Sequence, residues 1–278
     1  STNLTIHLIA IAEAGGFSIT LEDMNELSSI VPTITNVYPN GSADVNEFHE
    51  AGGVAAFIGS LIDGGFLFSD VETLIGNDLN IYRNKIEIKN NELVWDAPAK
   101  ILDKTIIRDT NNPFNNSGGL KLMEGNIGKG IIKTSSLKSS SSIIKSKSLV
   151  FNTQEDVLEA FGLGKLNRDC IIVVRGQGPS ANGMPELHKL TSPLNVLQSK
   201  GYTVAIITDG RMSGASGSVP AVIHITPEAN AGGLIGKIKD NDEILIDISN
   251  GTFDLQVDQE TLDNRILYKV SNNSEGIG

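Results

Sequence analysis

The sequence predicts an α/β protein with a mostly helical first part and a β-rich second part. Three observations carry that prediction. Up to about residue 80, apolar residues recur at helical spacing. After Asp78 the pattern shifts to short β-rich runs divided by Gly, Asn and Ser clusters, which places the start of a second domain between Asp78 and Pro98. Further on, two apolar runs at 170–174 and 203–207 flank a helix-like stretch at 187–200, an alternation that predicts a βαβ-like crossover within a mixed sheet.

In chain order, Leu4, Leu8, Ile11 and Ala12 give 2–14 a helical spacing that Gly15-Gly16 stops. A second helix is predicted over 21–29 with Thr20 as its N-cap. A third is predicted over 44–62, capped by Ser42 and weakened by Gly52-Gly53 in its interior, and a fourth over 70–75, starting at Ser69. The β-rich runs are 85–88, 93–95, 129–133 and 148–151. Between the last two lies a Ser and Lys tract, TSSLKSSSSIIKSKS at 134–148, whose composition predicts a solvated surface loop. Strands are predicted again at 221–225, 243–248 and 255–257, and there is no internal repeat.

A chain of 278 residues, 40% hydrophobic, is long enough to bury a sizeable core. Its net charge of −11 argues against a general nucleic-acid or anionic-membrane binder, so an anionic ligand would need a local positive patch or a metal. The single cysteine, Cys170, excludes an internal disulfide and any cluster held by several thiolates of this chain; inside an apolar run it reads as an inert buried thiol, in keeping with a reducing cytoplasm. No run is apolar enough for a membrane span or a signal peptide, and the start, Ser rather than Met with no lead-in before Leu4, reads as a chain cut or processed there.

The densest chemistry follows the 203–207 strand. In Thr208-Asp209-Gly210-Arg211-Met212-Ser213-Gly214 a serine and two charges sit at a strand end, among glycines that allow close backbone approach to a ligand. Ser213 reads as a nucleophile, a base or a turn former, since Arg211 departs from the hydrolase elbow and neither His188 nor His224 has the spacing of a base. After the 170–174 strand, Gly176, Gly178 and Ala181 fit a G-x-G-x-x-A pattern with Asp209 as the ribose acid, opposed by Pro179, Gly183 and Pro185. Glu186 stands at the start of the next predicted helix, suited either to the helix dipole or, with Asp209, to a weak Mg²⁺ site. His7 reads as a core or interface histidine on the apolar face of the first helix; His49 and Asn46 read as surface or cap residues.

Residues 208–229, TDGRMSGASGSVPAVIHITPEA, resemble the C-terminal signature of the dihydroxy-acid dehydratase and 6-phosphogluconate dehydratase family. STNLTIHLIAIAEAGG at 1–16, VYPNGSADVNEFHEAGG at 37–53, SGGLKLMEGNIGKGIIK at 117–133 and VVRGQGPSANGMPELHKLTSPL at 173–194 extend the resemblance in order along the chain and favour the phosphogluconate branch. The resemblance implies that 1–85 are the C-terminal part of a first domain and 86–278 a β-rich swivelling domain, a barrel-like mixed sheet with flanking helices. It implies a cytoplasmic, homodimeric lyase that dehydrates 6-phosphogluconate, a phosphorylated sugar acid, to 2-keto-3-deoxy-6-phosphogluconate in the Entner-Doudoroff pathway with an iron-sulfur cluster and Mg²⁺. Ser213 matches the base that takes the C2 proton, Glu186 a Mg²⁺ ligand, and Asp209, Arg211 and Gly214 substrate-binding positions. The family's cluster cysteines lie upstream of the segment that Ser1 resembles, and Cys170 matches none of them, so the chain is expected to be an inactive fragment. A dehydratase for dihydroxy or other sugar acids, and a non-catalytic ligand-binding remnant, are the alternatives.

Overall fold

The computed structural model describes residues 2–38, 40–135, 137, 142–212 and 219–270. The chain divides into two compact units, one made of 1–25 with 120–278 and the other of 26–119. Helix α1, Asn3–Ala14, ends at Gly15 as its sequence predicts. Its buried residues are Thr5 and Ala12, whereas Leu4, His7 and Ile11 are exposed, so His7 is not a core histidine. Helix α2, Leu21–Ile30, opens with Thr20 Oγ1 accepting from the Asp23 N–H while Asp23 accepts from the Thr20 N–H.

In the 26–119 unit the single helix expected over 44–62 is two. Helix α3, Val45–Glu50, is capped by Asp44, not Ser42, in a reciprocal box with Glu47; α4, Gly53–Asp63, starts anew. The break is at Gly52, whose φ of 127° excludes helix and whose Cβ position lies 2.6 Å from the Lys100 carbonyl oxygen. No helix forms over 70–75; Thr73 instead pairs with Gly76 in a tight bridge, its hydroxyl donating to the Gly76 carbonyl at 2.7 Å. After a 3-10 turn at Leu79–Arg83, strands β1 (Asn84–Lys89) and β2 (Glu92–Pro98) form an antiparallel hairpin. Ile34 and Ile107 are the largest fully buried side chains of this unit.

The other unit is a closed eight-stranded barrel. Its strands are β3 (Leu120–Gly125), β4 (Gly128–Lys133), β5 (Ile143–Phe151), β6 (Cys170–Val174), β7 (Val204–Thr208), β8 (Ala221–Thr226), β9 (Glu243–Asp247) and β10 (Thr252–Leu255), paired in the order β10-β3-β4-β8-β7-β6-β5-β9. The run β5 to β8 is parallel, as the crossover reading requires, and antiparallel or short parallel pairings close the ring. Helix α5 (Gln154–Gly162) follows β5; α6 (Pro179–Asn182) and α7 (Thr191–Ser199) join β6 to β7; and α8 (Gln259–Asp263) follows β10.

Strand β6, and β7 up to Ile207, are continuous apolar runs because both their faces are covered. Ile171, Val173, Ala205 and Ile207 fill the barrel with Met123, Ile132, Val222, Ile244 and Phe253; Cys170, Ile172, Val174, Val204 and Ile206 pack outward on Val157, Ala160, Leu190, Leu194 and Leu197. The Ser and Lys tract is not all loop. From Ile143 it belongs to β5, with Ile144 and Ser148 buried while Lys145 and Lys147 face water. The predicted 255–257 strand lies instead at 252–255, as β10.

Candidate functional site

The parallel strands β5 to β8 all end on one side of the barrel, the side where open α/β sheets place ligands. Three loops meet there: 175–185 after β6, 209–212 after β7, and 227–231 after β8. Asp209 joins them. Its carboxylate accepts from the Gln177 N–H at 2.9 Å, the Gly176 N–H at 3.0 Å and the Ala229 N–H at 2.9 Å. Burial pushes this carboxyl above its usual pKa, and those three donors oppose the shift. Glu228 does the same for the next stretch, accepting from the Ser180 N–H at 3.0 Å and the Ala181 N–H at 3.2 Å.

These bonds decide the nucleotide reading of Gly176, Gly178 and Ala181. A dinucleotide phosphate needs free N–H groups at that turn; here the chain's own carboxylates take them, and Gly178 is glycine because a Cβ would meet the Glu228 carboxyl.

Arg211 is half-buried. Its Nε donates to the Met184 carbonyl at 2.8 Å, and its guanidinium lies 3.8 Å from the Glu186 carboxylate. Glu186 does not begin a helix. It pairs with Arg211 in a parallel bridge, and the Leu187 N–H donates to the Arg211 carbonyl at 2.9 Å. Glu186 and Arg211 are therefore held together beside the strand end, while Asp209 is turned inward. Ser213 and Gly214 lie outside the described residues. The N-terminus of α1 reaches the same loop: the Thr2 hydroxyl donates to the Met212 carbonyl at 3.1 Å.

His224, near the end of β8, belongs to this cluster and entered the sequence reading only as a histidine without the spacing of a base. It is buried, its φ of 58° is left-handed, and its backbone N–H donates to the Gly210 carbonyl at 3.0 Å. Burial, with the Arg211 cation nearby, pushes its imidazole down to about 4. With Thr5, Asp209 and Glu228 it lines a cavity of about 690 Å³.

The iron-sulfur cluster implied by the resemblance does not fit the described residues. Cys170 is sealed in β6, where burial pushes its thiol up to about 11, the opposite of a cluster-ligating thiolate. No three His, Cys, Asp or Glu side chains among the described residues are grouped to hold a metal.

A closed mixed barrel whose parallel strands deliver Asp209 and Arg211 to one end is the architecture of an α/β enzyme domain. The chain belongs to the dihydroxy-acid/6-phosphogluconate dehydratase family: the family's C-terminal model matches residues 105–276 and its N-terminal model residues 1–84. It is 48% identical over 259 residues to a phosphogluconate dehydratase of Pseudomonas aeruginosa, covering 93% of this chain and 43% of that protein. It is 45% identical to a phosphogluconate dehydratase of Escherichia coli, covering 94% of this chain and 44% of that protein. A dihydroxy-acid dehydratase of Hydrogenobaculum is 34% identical, over 96% of this chain and 46% of the relative. The chain spans less than half the length of these relatives.

Proposed function

We propose that this chain is part of a cytoplasmic, homodimeric hydro-lyase that removes water from 6-phospho-D-gluconate to give 2-keto-3-deoxy-6-phosphogluconate, as in the Entner-Doudoroff pathway. In this reading the division falls at 85/86, with 86–278 the swivelling domain. The gap between 48% identity to a phosphogluconate dehydratase and 34% to a dihydroxy-acid dehydratase carries the choice of substrate. Ser213 takes the C2 proton, with Arg211, two positions earlier, as the cation that lowers its pKa. Asp209 holds the loop that carries Arg211, Arg211 and Gly214 contact substrate, and Glu186, 3.8 Å from Arg211, would supply one carboxylate to Mg²⁺ if the ion were bound. Expelling the C3 hydroxyl needs an electrophile for which one buried thiol is no ligand set, so the isolated chain binds substrate without turning it over.

The test is calorimetric titration of the purified chain with 6-phosphogluconate and with 2,3-dihydroxy-3-methylbutanoate, alongside an assay for 2-keto acid. Preference for the phosphorylated ligand without turnover is expected. Turnover by a chain carrying iron and sulfide would overturn the claim of inactivity, and preference for the dihydroxy acid would overturn the substrate.

A further inference from the structure

We infer that His224 is a further substrate-contacting residue of this site, its Nε2 accepting a hydrogen bond from a hydroxyl of the bound sugar acid. The inference rests on the function proposed above and adds a contact that the sequence pattern did not identify.

The direction of the hydrogen bond follows from the neighbours of the ring. Thr5 Oγ1 donates its proton to the Thr2 carbonyl at 2.8 Å, so toward the imidazole it can only accept. Nδ1 of His224 lies 3.5 Å from that oxygen, a contact that favours the neutral tautomer with its proton on Nδ1. That leaves Nε2 with a lone pair, and Nε2 is buried with no hydrogen-bond partner among the described residues, in a residue only 6% exposed. A buried acceptor without a donor costs free energy that folding alone does not recover. The left-handed backbone at His224, inside a strand, adds to what the fold spends to hold the ring there.

The cavity beside the ring narrows the donor. Glu13, Asp209 and Glu228 contribute carboxylates to its walls, and no Lys or Arg is among its described lining residues. A phosphate or carboxylate end of the ligand is disfavoured there, and near neutral pH a carboxylate has no proton, and a phosphate mostly none, to give to Nε2. A hydroxyl on the uncharged middle of the sugar acid meets both conditions. Burial, which keeps the imidazole neutral well below pH 7, preserves the acceptor.

The experiment uses the 278-residue chain labelled with ¹⁵N at histidine and at backbone amides, titrated with 6-phosphogluconate. The free chain should show His224 as the Nδ1–H tautomer. Saturation should move the His224 Nε2 resonance together with the Gly210 and Arg211 amides. His224→Asn suits the left-handed backbone and preserves a group near Nδ1 but removes the acceptor at Nε2, so it should weaken binding roughly two- to tenfold. His224→Gln puts an acceptor back near Nε2 and should recover affinity although its backbone preference is worse, an order that a merely structural role would reverse. If the amides shift while the imidazole stays still, or if His224→Asn binds as the parent does, the inference is overturned and the proposed function stands. If 6-phosphogluconate shifts nothing at all, both are overturned for this chain.

Discussion

Asp209 shows how a single side chain holds the strand-end loops. Removing the Asp209 carboxylate leaves three N–H groups, of Gly176, Gln177 and Ala229, without their acceptor in a buried place. Each unsatisfied buried donor costs about 1–3 kcal/mol, so Asp209→Ala should lose roughly 3 kcal/mol or more and Asp209→Asn, which retains one oxygen, less. Urea midpoints followed by far-UV circular dichroism check this order. For His224 the sign comes from its depressed pKa of about 4 against an ordinary 6.5. Above 6.5 the ring is neutral whether folded or not, and its contribution is fully present. As pH falls from 6.5 toward 4 only the unfolded chain takes up the proton, and stability is lost. Between pH 7 and pH 5 the loss from this group is on the order of 2 kcal/mol. Because carboxylates titrate in the same range, the measurement is the difference in pH dependence between the parent and His224→Asn. An unchanged slope in the variant would show that His224 charges freely in the folded state.

At the scale of elements, the barrel closes where it has least to close with: β10 and β3 share one register pair, Thr252 with Glu124. Gly125 lies at that seam because a Cβ there would run into the Phe253 carbonyl oxygen, which is backbone and cannot step aside. Gly125→Ala should therefore loosen the seam. Hydrogen exchange should quicken first at the Glu124 amide, which donates to the Gly251 carbonyl at 2.8 Å, while β6 and β7 stay protected. The contrast matches what the sequence reveals. β6 and β7 are readable because burial on both faces leaves Cys170–Val174 and 204–207 without a polar position, and α1 because Gly15-Gly16 stops it. β5 is hidden in its first half, where Lys145 and Lys147 alternate with inward Ile144 and a buried Ser148 and make a strand look like a solvated tract. Helix α5 carries a legible cue, Thr153 capping with Asp156, that the sequence reading passed over. The site divides in the same way: the strand end at Asp209 and Arg211 is local and readable, whereas the pairing of Thr5 with His224 spans 219 residues and exists only once α1 packs on the barrel unit.

For the molecule as a whole, the two units are unequally built. Both contiguous apolar clusters belong to the 1–25 and 120–278 unit, with β6, β7 and β8 buried at nearly every position. The 26–119 unit has scattered buried residues such as Ile34, Ile107, Ala56 and Leu61, while Phe68, Leu74, Ile88 and Leu93 face water. That exposed apolar surface predicts concentration-dependent association of the isolated chain, visible as a rising sedimentation coefficient; a constant monomer value would refute it. The same inequality predicts that unfolding is not a single transition, since a unit whose described residues form no contiguous apolar cluster gives way at a denaturant concentration where the barrel still holds. The chain carries its own reporter. Its single tryptophan, Trp95, sits in the β1–β2 hairpin against Tyr82, ring centroids 5.4 Å apart, and so reads the weaker unit alone. Far-UV circular dichroism reads mainly the barrel and its helices. In a urea series the Trp95 emission should therefore shift at a lower midpoint, and with a shallower slope, than the dichroism, because less surface is exposed when the smaller unit opens. Coincident curves with one slope would mean that the two units unfold as one cooperative body, in which case the exposed apolar residues of 26–119 are no measure of its stability.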